Sequence, residues 1–425
     1  MTRAATDLPT GRRDLEQLLA AKEIIVFCGS GGVGKTSVAA AAALGAAARL
    51  GGKVLVLTVD PARRLATALG LEGIGNVARR VPPEVCEAAG VEMRGELWAA
   101  MLDTKESWDA LVLRHAPNRE TAYQILENTL YRNITARFVQ SHDYIAMERL
   151  YEVHASGDYD LIVLDTPPTR NAIDFLEAPR RMADFFGGRL LRWLTAPYRV
   201  GGKRGARVLN FASRPFYQVA DRVLGSEFLQ EIGEFFWLFQ SMYDGFVERA
   251  AAVEDLLHDR RTTFGVVTTL EAAPLREGEV FIEELRRRDF DLQALVLNKT
   301  LPGTLLDPTG ADSARVLIDE ATELADALAA GAAGSSSAPE GPLDSPNRTA
   351  RVLRTVGESF RNFGVVAKRE AELRAELSRV PDVLCNVPTL EVDIHDVGGL
   401  AEIGMHLFGP GPEVPGPTPP VGRPR

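Results

Sequence analysis

The chain has 425 residues, 45% of them hydrophobic and 25% charged, the balance of a globular protein. Its formal net charge of −10 argues against a broad nucleic-acid surface, so no nucleic-acid partner is expected. The three cysteines, Cys28, Cys86 and Cys385, contain no C-x-x-C pair, which argues against a zinc ribbon or a disulfide scaffold and suits a reducing cytoplasm.

Residues 1–20 read as a tail and a short helix without the apolar core of a signal peptide. Glu23 to Cys28 follows as a continuous apolar run ending in glycines. A run apolar on both faces reads as a buried parallel strand. Comparable runs recur at Val54–Val59, Leu161–Leu164, Phe264–Thr268, Leu295–Leu297 and Val383–Val387. Most precede segments of helical period, which predicts an α/β fold with a mostly parallel sheet flanked by helices. The single domain is expected over residues 21–408, with helical insertions at about 97–155 and 180–255. The stretch 329–347 and the Pro-rich tail 409–425 read as disordered. The longest apolar stretch, Val38 to Ala48, is too short to span a bilayer. A cytoplasmic location is expected, with peripheral contact at a membrane left open.

Gly29-Ser-Gly-Gly-Val-Gly-Lys-Thr36 fits G-x-x-x-x-G-K-[ST], placed between a strand and a helix. Successive amides can curl around phosphate oxygens only where side chains are absent. This assigns Gly31, Gly32, Val33, Gly34, Lys35, Thr36 and Ser37 to a nucleotide, ATP or ADP. Lys35 reaches the β and γ phosphates and Thr36 offers its hydroxyl to Mg²⁺. The helix from Thr36 to Leu50 aims its positive end at the same anion. Gly29, Gly31 and Gly34 also fit G-x-G-x-x-G, with Asp60 ending the next strand as a ribose-binding acid would. That keeps a dinucleotide-binding oxidoreductase as an alternative, opposed by the Lys-Thr ending of the loop. Asp165 closes a strand and opens Asp-Thr-Pro-Pro-Thr169, where an acid beside a phosphate loop holds Mg²⁺. Asp60, in Asp60-Pro-Ala-Arg63, is placed to orient attacking water or to bridge to the metal.

The succession G-x-G-G-V-G-K-T, D-P-A and D-T-x-P-T resembles the arsenite-pump ATPases and the related targeting ATPases for tail-anchored membrane proteins. The resemblance spans nearly the whole chain. It implies a P-loop NTPase that switches between open and closed dimers, either a homodimer or a heterodimer with a paralogous ATPase. It gives Asn298, in Val-Leu-Asn298-Lys299, the role of reading adenine, and places Pro388 and Thr389 in the loop flanking the base. It makes Asp60 and Lys35 catalytic, and Thr36, Asp165 and Asp60 the metal set. The chain departs from the family at Ser30, where a second lysine usually reaches across the dimer. It departs again at Pro167, Arg170 and Asn171, where Ala, Gly and His are usual. Arg63 and Arg64 could supply the missing charge or lie solvated. Ser30 predicts slow hydrolysis alone, or pairing with a relative that keeps the lysine.

Metalloid transport needs clustered soft thiolates. Cys28 and Cys385 read as core and Cys86 as the exposed one, so no such cluster is expected. Phe228, Ile232, Phe235, Phe239, Met242 and Phe246 fall on one helical stripe. The stripe reads first as packing within the helical insert and second as part of a client groove. Between Phe185 and Ala220 there is no Asp or Glu, but seven basic and seven aromatic residues. The segment 185–247 is therefore a candidate contact for an anionic membrane surface or a client protein.

Overall fold

The structure is a computed structural model that describes residues 14–59, 64–132, 139–166, 176–181, 184, 226–333, 345–377, 382–391 and 393–409. Asp60, Arg63, Pro167, Arg170, Asn171, the segment 185–220 and the tail 410–425 fall outside that set.

Among the described residues eight strands form one sheet, in the order β3-β4-β2-β5-β1-β6-β7-β8. They are β1 (Ile24–Cys28), β2 (Lys53–Thr58), β3 (Arg79–Arg80), β4 (Glu96–Met101), β5 (Leu161–Asp165), β6 (Thr262–Thr268), β7 (Leu292–Thr300) and β8 (Val383–Pro388). Every pairing is parallel except β3 with β4. The central strands β1, β5 and β6 are buried at every residue, which is why their sequences run apolar without alternation.

Helices cover both faces. On one side lie α1 (Leu15–Ala20), α2 (Lys35–Leu50), α3 (Arg64–Ala68) and α4 (Pro83–Ala88). The other side carries α5 (Thr104–His115), α6 (Arg119–Glu127), α7 (Val139–Ser156), α8 (Ser226–Phe239), α9 (Tyr243–His258) and α10 (Ala272–Arg287). Between β7 and β8 come α11 (Pro308–Asp319), α12 (Ala321–Ala333) and the 32-residue α13 (Pro346–Leu377); α14 (Val397–Phe408) returns to α2. The alternate residues of β1 divide between the two cores. Ile24, Val26 and Cys28 face α5 to α10, while Ile25 and Phe27 face α1, α2 and α14. The Ala-rich α2 is buried from Val38 to Leu44 because small side chains let it lie close to both the sheet and α14.

Two expectations change. Residues 97–101 were expected to be helical but belong to β4, paired with β2 from Lys53 opposite Glu96 to Thr58 opposite Met101. Leu, Ala and Met are good helix formers, so the segment's local preference points away from its tertiary state. A Cβ on Gly95 would lie 2.2 Å from the Gly52 carbonyl, so glycine allows the close approach that starts this pairing. Of the stretch 329–347 expected in a loop, residues 329–333 complete α12, as the Ala-rich sequence there favours, Pro346 and Asn347 open α13, and 334–344 lie outside the described residues.

The aromatic stripe is spent inside the helical layer. Phe235, Phe239, Met242 and Phe246 are buried, and Ile232 is half-buried; the side chain of Phe228 is not among the described ones. Phe246 lies 6.1 Å from Trp108 and 5.9 Å from Tyr144, ring centre to ring centre. Phe235 stacks on Phe239 at 5.3 Å and Phe239 on Phe246 at 5.4 Å. Glu148 is buried against this cluster, accepting from the Tyr144 hydroxyl at 2.9 Å and pairing with Arg249 at 2.6 Å. Burial raises the Glu148 carboxyl above the usual range and the Arg249 charge opposes that shift.

Candidate functional site

The site lies at the carboxyl end of the central strands. In an open parallel sheet, that edge presents the loops that receive a ligand. β1 ends at Cys28 and α2 begins at Lys35, so the six residues between them form the loop.

Three glycines set its path. Gly29 has φ +152°, and a Cβ there would lie 2.1 Å from the Val267 carbonyl oxygen on β6. Gly34 has φ +91°, and its Cβ would meet the Asn298 amide nitrogen at 2.3 Å. Gly32, at φ +80°, faces open space, so the cradle is tight behind and open in front. Val33 is buried and pins the loop, while Gly31 and Gly32 are exposed. Gly34 is also the N-cap of α2 and brings no side-chain oxygen to its first-turn amides, leaving that helix end suited to an anion. A polyphosphate fits a cradle with this backbone and this helix end.

The charged and hydroxyl groups converge on the same edge. Lys35 is buried, and its Nζ donates to the Ser30 carbonyl at 2.8 Å across the loop. Asp165, at the tip of β5, is fully buried. Its Oδ2 accepts from the Thr36 hydroxyl at 2.7 Å and from the Thr58 hydroxyl at 2.8 Å. A hard divalent cation takes oxygen donors, and the Thr36 hydroxyl and Asp165 carboxylate beside a phosphate cradle suit Mg²⁺. Thr58 ends β2 and was not singled out in the sequence. Its signal was its position two residues before Asp60. Ser30 is buried, and its hydroxyl has no hydrogen-bond partner among the described residues.

Asn298 is tied to the loop itself. Its Nδ2 donates to the Val33 carbonyl at 2.8 Å, and its Oδ1 accepts from the Lys299 amide at 2.9 Å. Lys299 then reaches back, its Nζ donating to the Gly32 carbonyl at 2.9 Å. Lys299 has φ +54°, a region that a residue with a Cβ seldom adopts. The pair therefore braces two successive loop carbonyls from the end of β7. Pro388 and Thr389 border the same strand end: Thr300 pairs with Pro388, and the Thr389 amide donates to Thr300 at 2.9 Å. The structure thus gathers Lys35, Thr36, Asp165 and Asn298 around one loop, with Pro388 and Thr389 beside the continuation of β7. Ser37 lies in the first turn of α2, and Asp60 lies outside the described residues.

All three cysteines are buried, Cys86 included, which corrects the expectation that it is exposed. Cys86 packs in the core under α4, in a helix with only one fully buried position. Burial pushes the Cys28 and Cys385 thiols up to about 12 and raises Cys86 as well. Cys28 belongs to one face of the sheet and the other two to the opposite core. Protonated thiols divided by a sheet make no soft-metalloid centre. Among the described residues no helix is long and apolar enough to cross a membrane.

Comparison with known proteins agrees with this geometry. The sequence profile of the anion-transporting ATPases matches residues 22–316. A putative arsenical pump-driving ATPase of Aquifex aeolicus is 25% identical over 66% of this chain and 80% of its own length. An ATPase ASNA1 homologue of Entamoeba dispar is 24% identical over 68% of this chain and 80% of its own. An uncharacterised protein of Streptomyces coelicolor is 30% identical over 68% of this chain, which spans only 64% of that relative's length.

Proposed function

This chain belongs to the anion-transporting ATPase family, and from that premise we propose that it binds ATP at the Gly29–Thr36 loop and hydrolyses it with Mg²⁺ to switch the shape of a dimer. The observation that carries the reading is the Thr36–Asp165 contact of 2.7 Å beside a loop in which Gly29 and Gly34 leave no room for a side chain. Lys35 places a positive charge against the β and γ phosphates, and the loop amides hold their oxygens. Thr36 and Asp165 hold the metal, which when bound supplies charge to neutralise the phosphates. Asp60 orients the attacking water, and Asn298, Pro388 and Thr389 flank the base. Similarity to the targeting ATPases supports coupling of the switch to a client protein or a membrane partner, with the basic stretch 185–220 of the segment 185–247 as the contact, since the aromatic stripe that follows it is buried. The dinucleotide alternative leaves the Thr36–Asp165 pair without a use.

Ser30 favours a second reading, in which this chain is a regulatory ATP-binding subunit with weak turnover that works beside a paralogous ATPase. The two readings separate in one experiment. Phosphate release is measured for the wild type, for Ser30→Lys, and for the wild type mixed with paralogues from the same cell. The regulatory reading expects slow release alone and faster release in one mixture. Fast release by the wild type alone, independent of protein concentration, would sink both the pairing and the dimer switch. Lack of any Mg²⁺-dependent release in every mixture would remove the ATPase reading.

A further inference from the structure

The family match ends at residue 316, yet the chain goes on to build α12 and the 32-residue α13 before returning to β8. α13 is held on one side. Thr349, Ala350, Gly357 and Ala367 are buried, and Gly357 lies so close to α11 that a Cβ would meet the Ala314 carbonyl at 2.6 Å. Glu370 anchors its second half by accepting from the Leu301 amide at 2.9 Å, two residues beyond Lys299.

Another side is bare. Val352, Val356, Phe363 and Val366 are 47, 51, 53 and 49% exposed, while Val365, at 70%, lies off their row. With the exposed Ser359 they fall at successive spacings of 4, 3, 4 and 3, which is one narrow seam along about 21 Å of helix. The helix is strongly basic around that seam. From Pro346 to Arg369 it carries six basic residues, Arg348, Arg351, Arg354, Arg361, Lys368 and Arg369, against the single acid Glu358, in a chain of net charge −10. Arg348, Arg351 and Arg369 are exposed and flank the seam on the side away from the protein body.

We propose that this face of α13 docks an acidic amphipathic helix of a partner protein. The width of the seam argues for a helix over a lipid surface. A helix lying in a membrane presents a broad apolar face, whereas a single row with a serine at its centre matches the spacing of a paired helix. Charge argues for a foreign, acidic helix over a second copy of this chain, because two copies would set one row of arginines against another.

The test uses the full chain and a fluorescent 21-residue helical probe with leucines at heptad a and d positions and glutamates at e and g. Its control carries lysines in place of the glutamates. The glutamate probe should bind, at least tenfold more weakly to Phe363→Asp and to Arg348→Glu/Arg351→Glu, and more weakly as salt rises. The lysine probe should not bind. All three replaced side chains are exposed, so unfolding midpoints should match the wild type, and that match is checked first. Failure of the glutamate probe to bind, or equal binding by Phe363→Asp, overturns the proposal. So does flotation with phosphatidylglycerol vesicles that Phe363→Asp abolishes, which assigns the face to a membrane. Concentration-dependent dimerisation that the same variant abolishes assigns it to a second copy, and overturns the proposal equally.

Discussion

Replacing Asn298 by alanine separates two roles for one side chain. If Asn298 only reads adenine, its loss weakens ATP but leaves a bare polyphosphate untouched. The geometry adds a second role, since Nδ2 donates to the Val33 carbonyl and Oδ1 accepts from the Lys299 amide, at 2.8 and 2.9 Å. Asn298 is only 6% exposed, so water does not replace these bonds freely. Leaving one buried polar group unpaired costs about 1–3 kcal/mol. Carried into binding through a loosened loop, that is about a 5- to 150-fold rise in Kd. The assay is calorimetric titration with ATP and, separately, with tripolyphosphate, each with Mg²⁺. Both should weaken by a similar factor in Asn298→Ala. Tripolyphosphate binding that stays at the wild-type level while ATP binding falls would refute the bracing role.

Further outcomes follow from other contacts. Thr58→Val keeps the shape of a fully buried residue but removes the hydroxyl that donates to Asp165; Mg²⁺-dependent nucleotide binding should fall several-fold while Mg²⁺-free binding holds, as read by titration with and without chelator. Gly29→Ala sets a Cβ against the Val267 carbonyl, and thermal denaturation should show a loss of about 1–3 kcal/mol or more. Arg249→Met removes the cation that offsets the burial of the Glu148 carboxyl among aromatic rings, at a cost of about 3–5 kcal/mol by urea denaturation, and adding Glu148→Gln should recover much of it. Glu284 is lowered to about 2 by bonds from Arg287 and Arg288. A depressed carboxylate stabilises the fold above its unfolded value and loses that contribution as pH falls toward 2. For a surface pair screened by solvent the effect is under about 1 kcal/mol, so Glu284→Gln should flatten the decline in urea midpoint between pH 5 and pH 3 slightly.

The strands that carry the site were legible because burial on both faces leaves an unbroken apolar run. β1, β2, β5, β6 and β7 announce themselves this way, whereas β8, at the sheet edge, shows a shorter run broken by Asn386 and is buried only at alternate residues. β4 did not, since Leu97, Ala99 and Met101 suit a helix equally and only the pairing with β2 decides. The loop from Gly29 to Thr36 was legible because its chemistry forces glycine at fixed intervals. Thr58 and Lys299 were not legible. Their roles depend on which strand ends are neighbours and on a left-handed backbone at Lys299, neither of which a single residue encodes. Asn298 was found through resemblance to a family, and its hold on Val33 became visible only when β7 was placed beside the loop. The aromatic stripe of α8 and α9 had a period but no address. Trp108, Tyr131 and Tyr144, distant in sequence, supply the surface that buries it. Glu148 gave no warning either, because the arginine that partners it lies on α9, 101 residues later.

The most direct measurement is phosphate release from ATP by the wild type and Lys35→Ala, with and without Mg²⁺, over a range of protein concentrations and in the presence of any paralogue that accelerates it. Mg²⁺-dependent release that disappears in Lys35→Ala, and rises per chain as the dimer forms, is the predicted result. Release that survives Lys35→Ala, or that ignores Mg²⁺, would contradict the assignment of the Gly29–Thr36 loop as the site of hydrolysis.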